Sequence, residues 1–112
     1  MEADRLCTPW GRDLPRIPLP EHPDPMMERA RWESLNGWWQ CTIVPAGSPG
    51  PAPGQWRPIL VPFAVETPAS GVARPLLPDE RLHYRRPVPI PPAWRGERIR
   101  IHFCAVDHEC EV

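Results

Sequence analysis

Lysine is missing from this chain. All 13 basic residues are arginine, set against 14 acids, and the net charge at pH 7 is −1. A balance so near zero supplies no field to steer nucleic acid or acidic lipid, so neither partner is expected. The arginines are spread among the acids rather than gathered in a stripe for phosphate. Together with the many Pro and Ala residues, the exclusive use of Arg reads as a bias of the coding sequence. No apolar run approaches membrane-spanning length, and the N-terminus has no apolar core of a signal peptide. The cytoplasm is therefore the default compartment. Cys7, Cys41, Cys104 and Cys110 lack Cys-x-x-Cys spacing. They read as small buried hydrophobes or free thiols. No internal repeat is visible, and no motif calls for a cofactor or a metal.

What the chain has in excess is proline: 19 of 112 residues, about 17% against an average near 5%. Each proline fixes φ and removes a donor, which excludes long helices over most of the chain. Residues 8–25 carry six prolines and read as an extended arm whose apolar residues Trp10, Leu14, Ile17 and Leu19 lie on something. Asp24-Pro25 has the form of a helix start, with Asp at the cap and Pro in the first turn, so one short helix is expected to Arg31. Asn36-Gly37 signals a turn. Strands are expected over 38–44, 59–61, 82–90 and 97–106, separated by the Pro/Gly loop 45–54, an irregular connection over 66–80 and a turn at 91–96. Pro87, Pro89 and Pro91 leave one flank of the third strand without donors, so that flank is a sheet edge or a bulge.

The last strand is the best patterned. Ile99, Ile101, Phe103 and Ala105 alternate with Arg98, Arg100, His102 and Cys104, the period of a strand with one dry face. Such a face needs partners. The expectation is the opening portion of a larger all-β domain: an extended Pro-rich arm with a short helix over 1–31, then an incomplete β-sandwich of jelly-roll type over 32–112. Its free edge would make the chain sparingly soluble on its own.

Several segments, in order, resemble the N-terminal domain of glycoside hydrolase family 2, the β-galactosidase and β-glucuronidase group. They are Thr8-Pro9-Trp10-Gly11, Leu19-Pro20-Glu21-His22-Pro23, Trp32-Glu33-Ser34-Leu35-Asn36-Gly37-Trp38-Trp39 (similar to the family's Trp-x-x-Leu-Asn-Gly-x-Trp), and Ile59 through Glu66. Ser70-Gly71-Val72, Leu82 through Arg86, and Ile101 through Asp107 complete the series. Cys104 departs from a common Gly, and His83 from a common aromatic. The resemblance implies a galactose-binding-like jelly roll, called the sugar-binding domain, packed on a catalytic (β/α)8 barrel that follows it. It implies hydrolysis of O-glycosidic bonds in carbohydrate metabolism by the intact enzyme. It also implies that Asp107, after the last strand, lies near the sugar pocket, where a carboxylate accepts bonds from sugar hydroxyls. Retaining glycosidases need two carboxylates about 5–5.5 Å apart. In this family both are glutamates on barrel strands. A barrel takes about 250 residues, so this chain cannot hold one. No catalytic residue is expected here, and carbohydrate is a partner only together with the barrel.

Other constellations have plainer readings. Glu109 and Glu111 would share a strand face about 6.5 Å apart, but solvated terminal acids fit them better. His102, Cys104, His108 and Cys110 have zinc-type chemistry. On a straight strand the first and last lie about 26 Å apart, so four ligands would not converge. Trp38, Trp39 and Trp56 could stack on sugar rings. Trp38 and Trp39 are adjacent, so they face opposite sides and at least one is core. Arg85-Arg86 reads as a surface pair, or as partners for acids near a cleft. Pro15-Arg16-Ile17-Pro18 has the form of a ligand for an SH3 or WW domain, the alternative function of an interaction module.

Overall fold

Val, Ile, Thr and Trp crowd residues 38–44, and these side chains suit the pleated surface of a strand. In a computed structural model of the chain, which describes residues 8–51 and 53–112, they form the centre of a sheet. Strand β1 spans Gly37–Pro45, β2 spans Arg57–Val61 and β3 spans Glu80–Arg85. All pairing is antiparallel, in the order β2-β1-β3. Trp39 faces Ile59 on one side of β1, and Cys41 faces Tyr84 on the other. β2 carries Pro58 yet pairs, because an edge strand is bonded on one side only. β3 starts two residues before the expected Leu82 and stops at Arg85 rather than Ile90. Pro87, Pro89 and Pro91 withdraw the donors a longer ladder would need. As those prolines require, β3 is an edge.

Thr42, Val44 and Leu60 are buried on one face of the sheet, and the face that carries Cys41 and Ile59 holds the centre of the core. Cys41 and Ile59 are fully buried there with Val65, and Trp39, Ile43 and Leu82 pack around them. The connection after β2 supplies the cover through Val65, Val72 and Leu76. Its one regular piece is a 3₁₀ turn at Pro68–Ser70, closed by Gly71 in the left-handed region (φ 83°). Buried Ser70 fastens it: its Oγ lies 2.8 Å from the Thr67 carbonyl and accepts the Val72 N–H at 3.1 Å.

Glu80 opens β3 and anchors the end of that cover. Its carboxylate accepts from the Arg74 guanidinium at 2.5 Å and from the Leu77 N–H at 3.1 Å. The side-chain bond from Arg74, then the backbone bond from Leu77, hold its pKa below the ordinary carboxylate value. A lowered folded pKa stabilises the fold above the unfolded value, about pH 4.3. That support is lost as pH falls through the folded value. Thermal melts between about pH 3 and pH 7 are therefore expected to show an acid limb that Glu80→Gln flattens. An unchanged limb in Glu80→Gln would place the acid sensitivity elsewhere.

Three local expectations need correction. The arm is not wholly extended: a short helix, α1, spans Pro9–Arg12, with the Thr8 Oγ1 accepting the Gly11 N–H at 3.1 Å and Pro9 in the first turn. The helix expected from Asp24 to Arg31 is a single turn, closed by the Met27 N–H on the Asp24 carbonyl at 2.9 Å. Met26 is 97% exposed and Met27 79%, so the turn makes no packing contact with the core. Residues 97–106 are irregular and lie outside the sheet, with Ile99, Ile101 and Phe103 about half exposed. Alternation specifies which side a strand would bury, and no described strand pairs with this one.

The described residues thus form a small β domain with a single three-stranded antiparallel sheet and little helix. Cys7, the remainder of residues 1–7 of the arm and Ala52 of the loop lie outside the described residues. No helix among the described residues is long and apolar enough to cross a membrane.

Candidate functional site

The densest polar construction in the molecule joins the Pro-rich arm to the sheet. Leu35, Asn36 and Gly37 lead into β1. The Leu35 carbonyl accepts the Trp39 indole Nε1–H at 2.6 Å and the Arg86 Nη1 at 2.7 Å. Arg86 also reaches the Asn36 carbonyl at 3.3 Å, and its guanidinium lies 5.9 Å from the Trp39 ring centre. Asn36 turns its Nδ2 back to the Pro18 carbonyl at 3.0 Å. Gly37 has φ +122°, and a side chain there would meet the Arg16 carbonyl. Upstream, His22 packs edge-on against Trp32 at 4.5 Å. Leu35, Asn36, Gly37 and Trp39 of the Trp-x-x-Leu-Asn-Gly-x-Trp motif therefore form a knot with Arg86 and the arm, and Trp32 adds a further contact with it.

That knot decides several sequence readings. Trp39 belongs to the core side, while Trp38 points to the other face and is 49% exposed. Arg86 is not a free surface arginine; it holds backbone carbonyls, and among the described residues it pairs with no carboxylate. Pro18 is fully buried and its carbonyl is occupied by Asn36, so Pro15-x-x-Pro18 is not presented as a polyproline ligand.

Asp107, the expected sugar contact, lies exposed in the irregular C-terminal segment, as do Glu109 and Glu111. Among the described residues no group of three or more His, Cys, Asp or Glu side chains is placed to hold a metal ion. His102, Cys104, His108 and Cys110 therefore do not come together. Cys104 and Cys110 are exposed free thiols. Cys41 is buried under the sheet, and desolvation pushes its thiol pKa up despite the opposing charge of Arg57. With Cys7→Ser as background, a thiol reagent at pH 8 is expected to label Cys104 and Cys110 at once and Cys41 only on unfolding. Prompt reaction of a third thiol would show Cys41 to be accessible.

The outer face of the sheet was only partly legible beforehand. The Arg85 guanidinium lies 4.1 Å above the Trp56 ring centre, and its Nε donates to Gln40 Oε1 at 2.8 Å. Gln40 and Arg85 are register partners, and Trp38 lies two residues along β1 on the same side. This arrangement offers a flat aromatic face beside a planar amide and a held guanidinium. An apolar groove of about 440 Å³ runs along the arm, lined by Trp10, Leu14, Pro18, Leu19 and Phe63 among others, and a second concavity lies against Ile90, Pro91, Pro92 and Arg95. Asp13 and Glu21 set two carboxylates on the rim of the arm groove, whereas the outer face of the sheet carries none at a strand position.

No protein-family model matches the chain, and no curated protein matches it.

Proposed function

We propose that this chain is the N-terminal, non-catalytic sugar-binding-type domain of a family 2 glycoside hydrolase, with a jelly-roll sandwich as its complete form. In the intact enzyme it supports the catalytic barrel and shapes the mouth of the active site, while the two glutamates that cleave the glycosidic bond lie on the barrel. Asp107 reaches substrate only in that assembly.

One observation carries the reading. Five of the seven segments that resemble the family, though scattered along the sequence, touch one another. Leu19 and Asn36 meet, as do His22 and Trp32, and Leu35, Trp39 and Arg86. Ile59 and Val65 share the core with Val72 and Leu82. Motif residues that hold one another in place are what a scaffold domain requires.

The test is an assay of the full chain on chromogenic β-galactosides and β-glucuronides. No turnover above buffer is expected. Turnover that Glu109→Gln or Glu111→Gln abolishes would overturn the assignment.

A further inference from the structure

We propose that the outer face of the sheet binds a uronate-bearing oligosaccharide. The register sets Arg81, His83 and Arg85 on one side of β3, opposite Val44, Thr42 and Gln40 of β1, with Trp38 two residues beyond Gln40 on the same side of β1. Arg85 touches Gln40 and Trp56 on the side opposite Cys41 and Ile59, where Thr42, Val44 and Leu60 are buried while Arg81, Arg85 and Gln40 are exposed. Glu80, the only acid in the three strands, projects to the other face. A chain of net charge −1 thus presents a face with two arginines, a histidine between them and no acid at any strand position.

The row fits an anion with a repeat. Alternate residues of a strand stand about 6.8 Å apart, so Arg81 and Arg85 span about 13 Å. A polyuronate carries one carboxylate on every ring, and guanidinium grips carboxylate through paired hydrogen bonds. Arg85 is prepared for this. Stacking on Trp56 and the bond from Nε to Gln40 fix its plane, and among the described residues its Nη atoms have no acceptor. Trp38 supplies an exposed flat surface for the apolar side of a sugar ring. Nucleic acid fits less well. Its affinity grows with the number of phosphates neutralised, and three contacts on a chain without a steering field are few.

Calorimetric titration of the full chain with a uronate hexasaccharide tests the proposal, with a neutral hexasaccharide and a single-stranded DNA hexamer as parallel arms. The acidic sugar is expected to bind, more weakly as salt rises, and the neutral one not to. Arg81→Gln and Arg85→Gln should each weaken binding about tenfold, the loss of one charged hydrogen-bonded contact. Arg85→Lys should fall between, since it keeps the charge and loses the fork. Trp38→Ala should also weaken binding, while Arg98→Gln, away from the sheet, should leave it unchanged and so report an intact fold. Absence of binding, equal binding of the neutral sugar, tighter binding of DNA, or indifference to both Arg81→Gln and Arg85→Gln would overturn the proposal. It stands on this face alone, so its failure would leave the glycosidase reading untouched.

Discussion

Ile59→Ala is expected to remove most of the stability of this molecule. Ile59 is fully buried, and the buried apolar set among the described residues is small: Cys41, Val44, Ile59, Leu60 and Val65. Cutting such a side chain to Ala costs about 2–5 kcal/mol, the transfer loss plus the cavity left behind. A domain of this size has about 5–15 kcal/mol in total, and a thin core sits at the low end. The cavity would open between β2 and the cover from Val65 to Leu76, so the sheet and its cover should loosen together. Ile59→Val, which keeps the branched shape, should cost about 0.5–1.5 kcal/mol. Urea melts of the three proteins give the comparison. Equal midpoints for Ile59→Ala and the parent would mean that the face around Ile59 is not where the stability resides.

The second large effect is expected at Gly37. Its φ of +122° is closed to residues with a side chain, and a Cβ would stand 3.4 Å from the Arg16 carbonyl and 3.9 Å from Arg86 Nη1. Gly37→Ala therefore forces either β1 to rotate or the arm to move. Backbone strain of this kind costs about 1–3 kcal/mol, before any loss of the bonds from Arg86 to the Leu35 and Asn36 carbonyls. Gly47 is the matched control: nothing lies within 4 Å of its Cβ position and its φ is ordinary. Gly47→Ala should leave the melting temperature nearly unchanged, while Gly37→Ala lowers it by several degrees. Equal melting temperatures for the two variants would show that the knot does not tie the arm to the sheet.

Both effects lie where sequence and structure agree most closely. β1 was legible because seven consecutive residues favour a pleated surface, and β2 because Ile59, Leu60 and Val61 stand between prolines. The opposite facing of Trp38 and Trp39 followed from a period of two. Other features were not local. The early start of β3 depends on Glu80 pairing with Arg74 and with the Leu77 N–H, which no alternation reveals. Thr8-Pro9 and Asp24-Pro25 carry the same helix-start chemistry, yet only the first gives a helix; neither buries a residue, and the first has the Thr8 hydroxyl capping the Gly11 N–H. The pattern over 97–106 is as regular as any in the chain, but periodicity names a dry side without naming what covers it.

The candidate sites divide in the same way. Asp107 was singled out by resemblance alone, and its neighbourhood in the described residues adds no second sugar ligand. Arg86 was read as a surface residue because its partners, Leu35 and Asn36, are about 50 positions away. The pairing of Arg85 with Gln40 and Trp56 likewise arises from strand register, not from neighbours in sequence. Aromatic and basic residues could be counted beforehand, but only the register placed them on one face.

Sequencing the gene downstream of the Val112 codon tests the central claim most directly. The account predicts an in-frame continuation that supplies further strands for the sheet and then a (β/α)8 barrel bearing two glutamates. An in-frame stop, or a continuation of unrelated character, would contradict it.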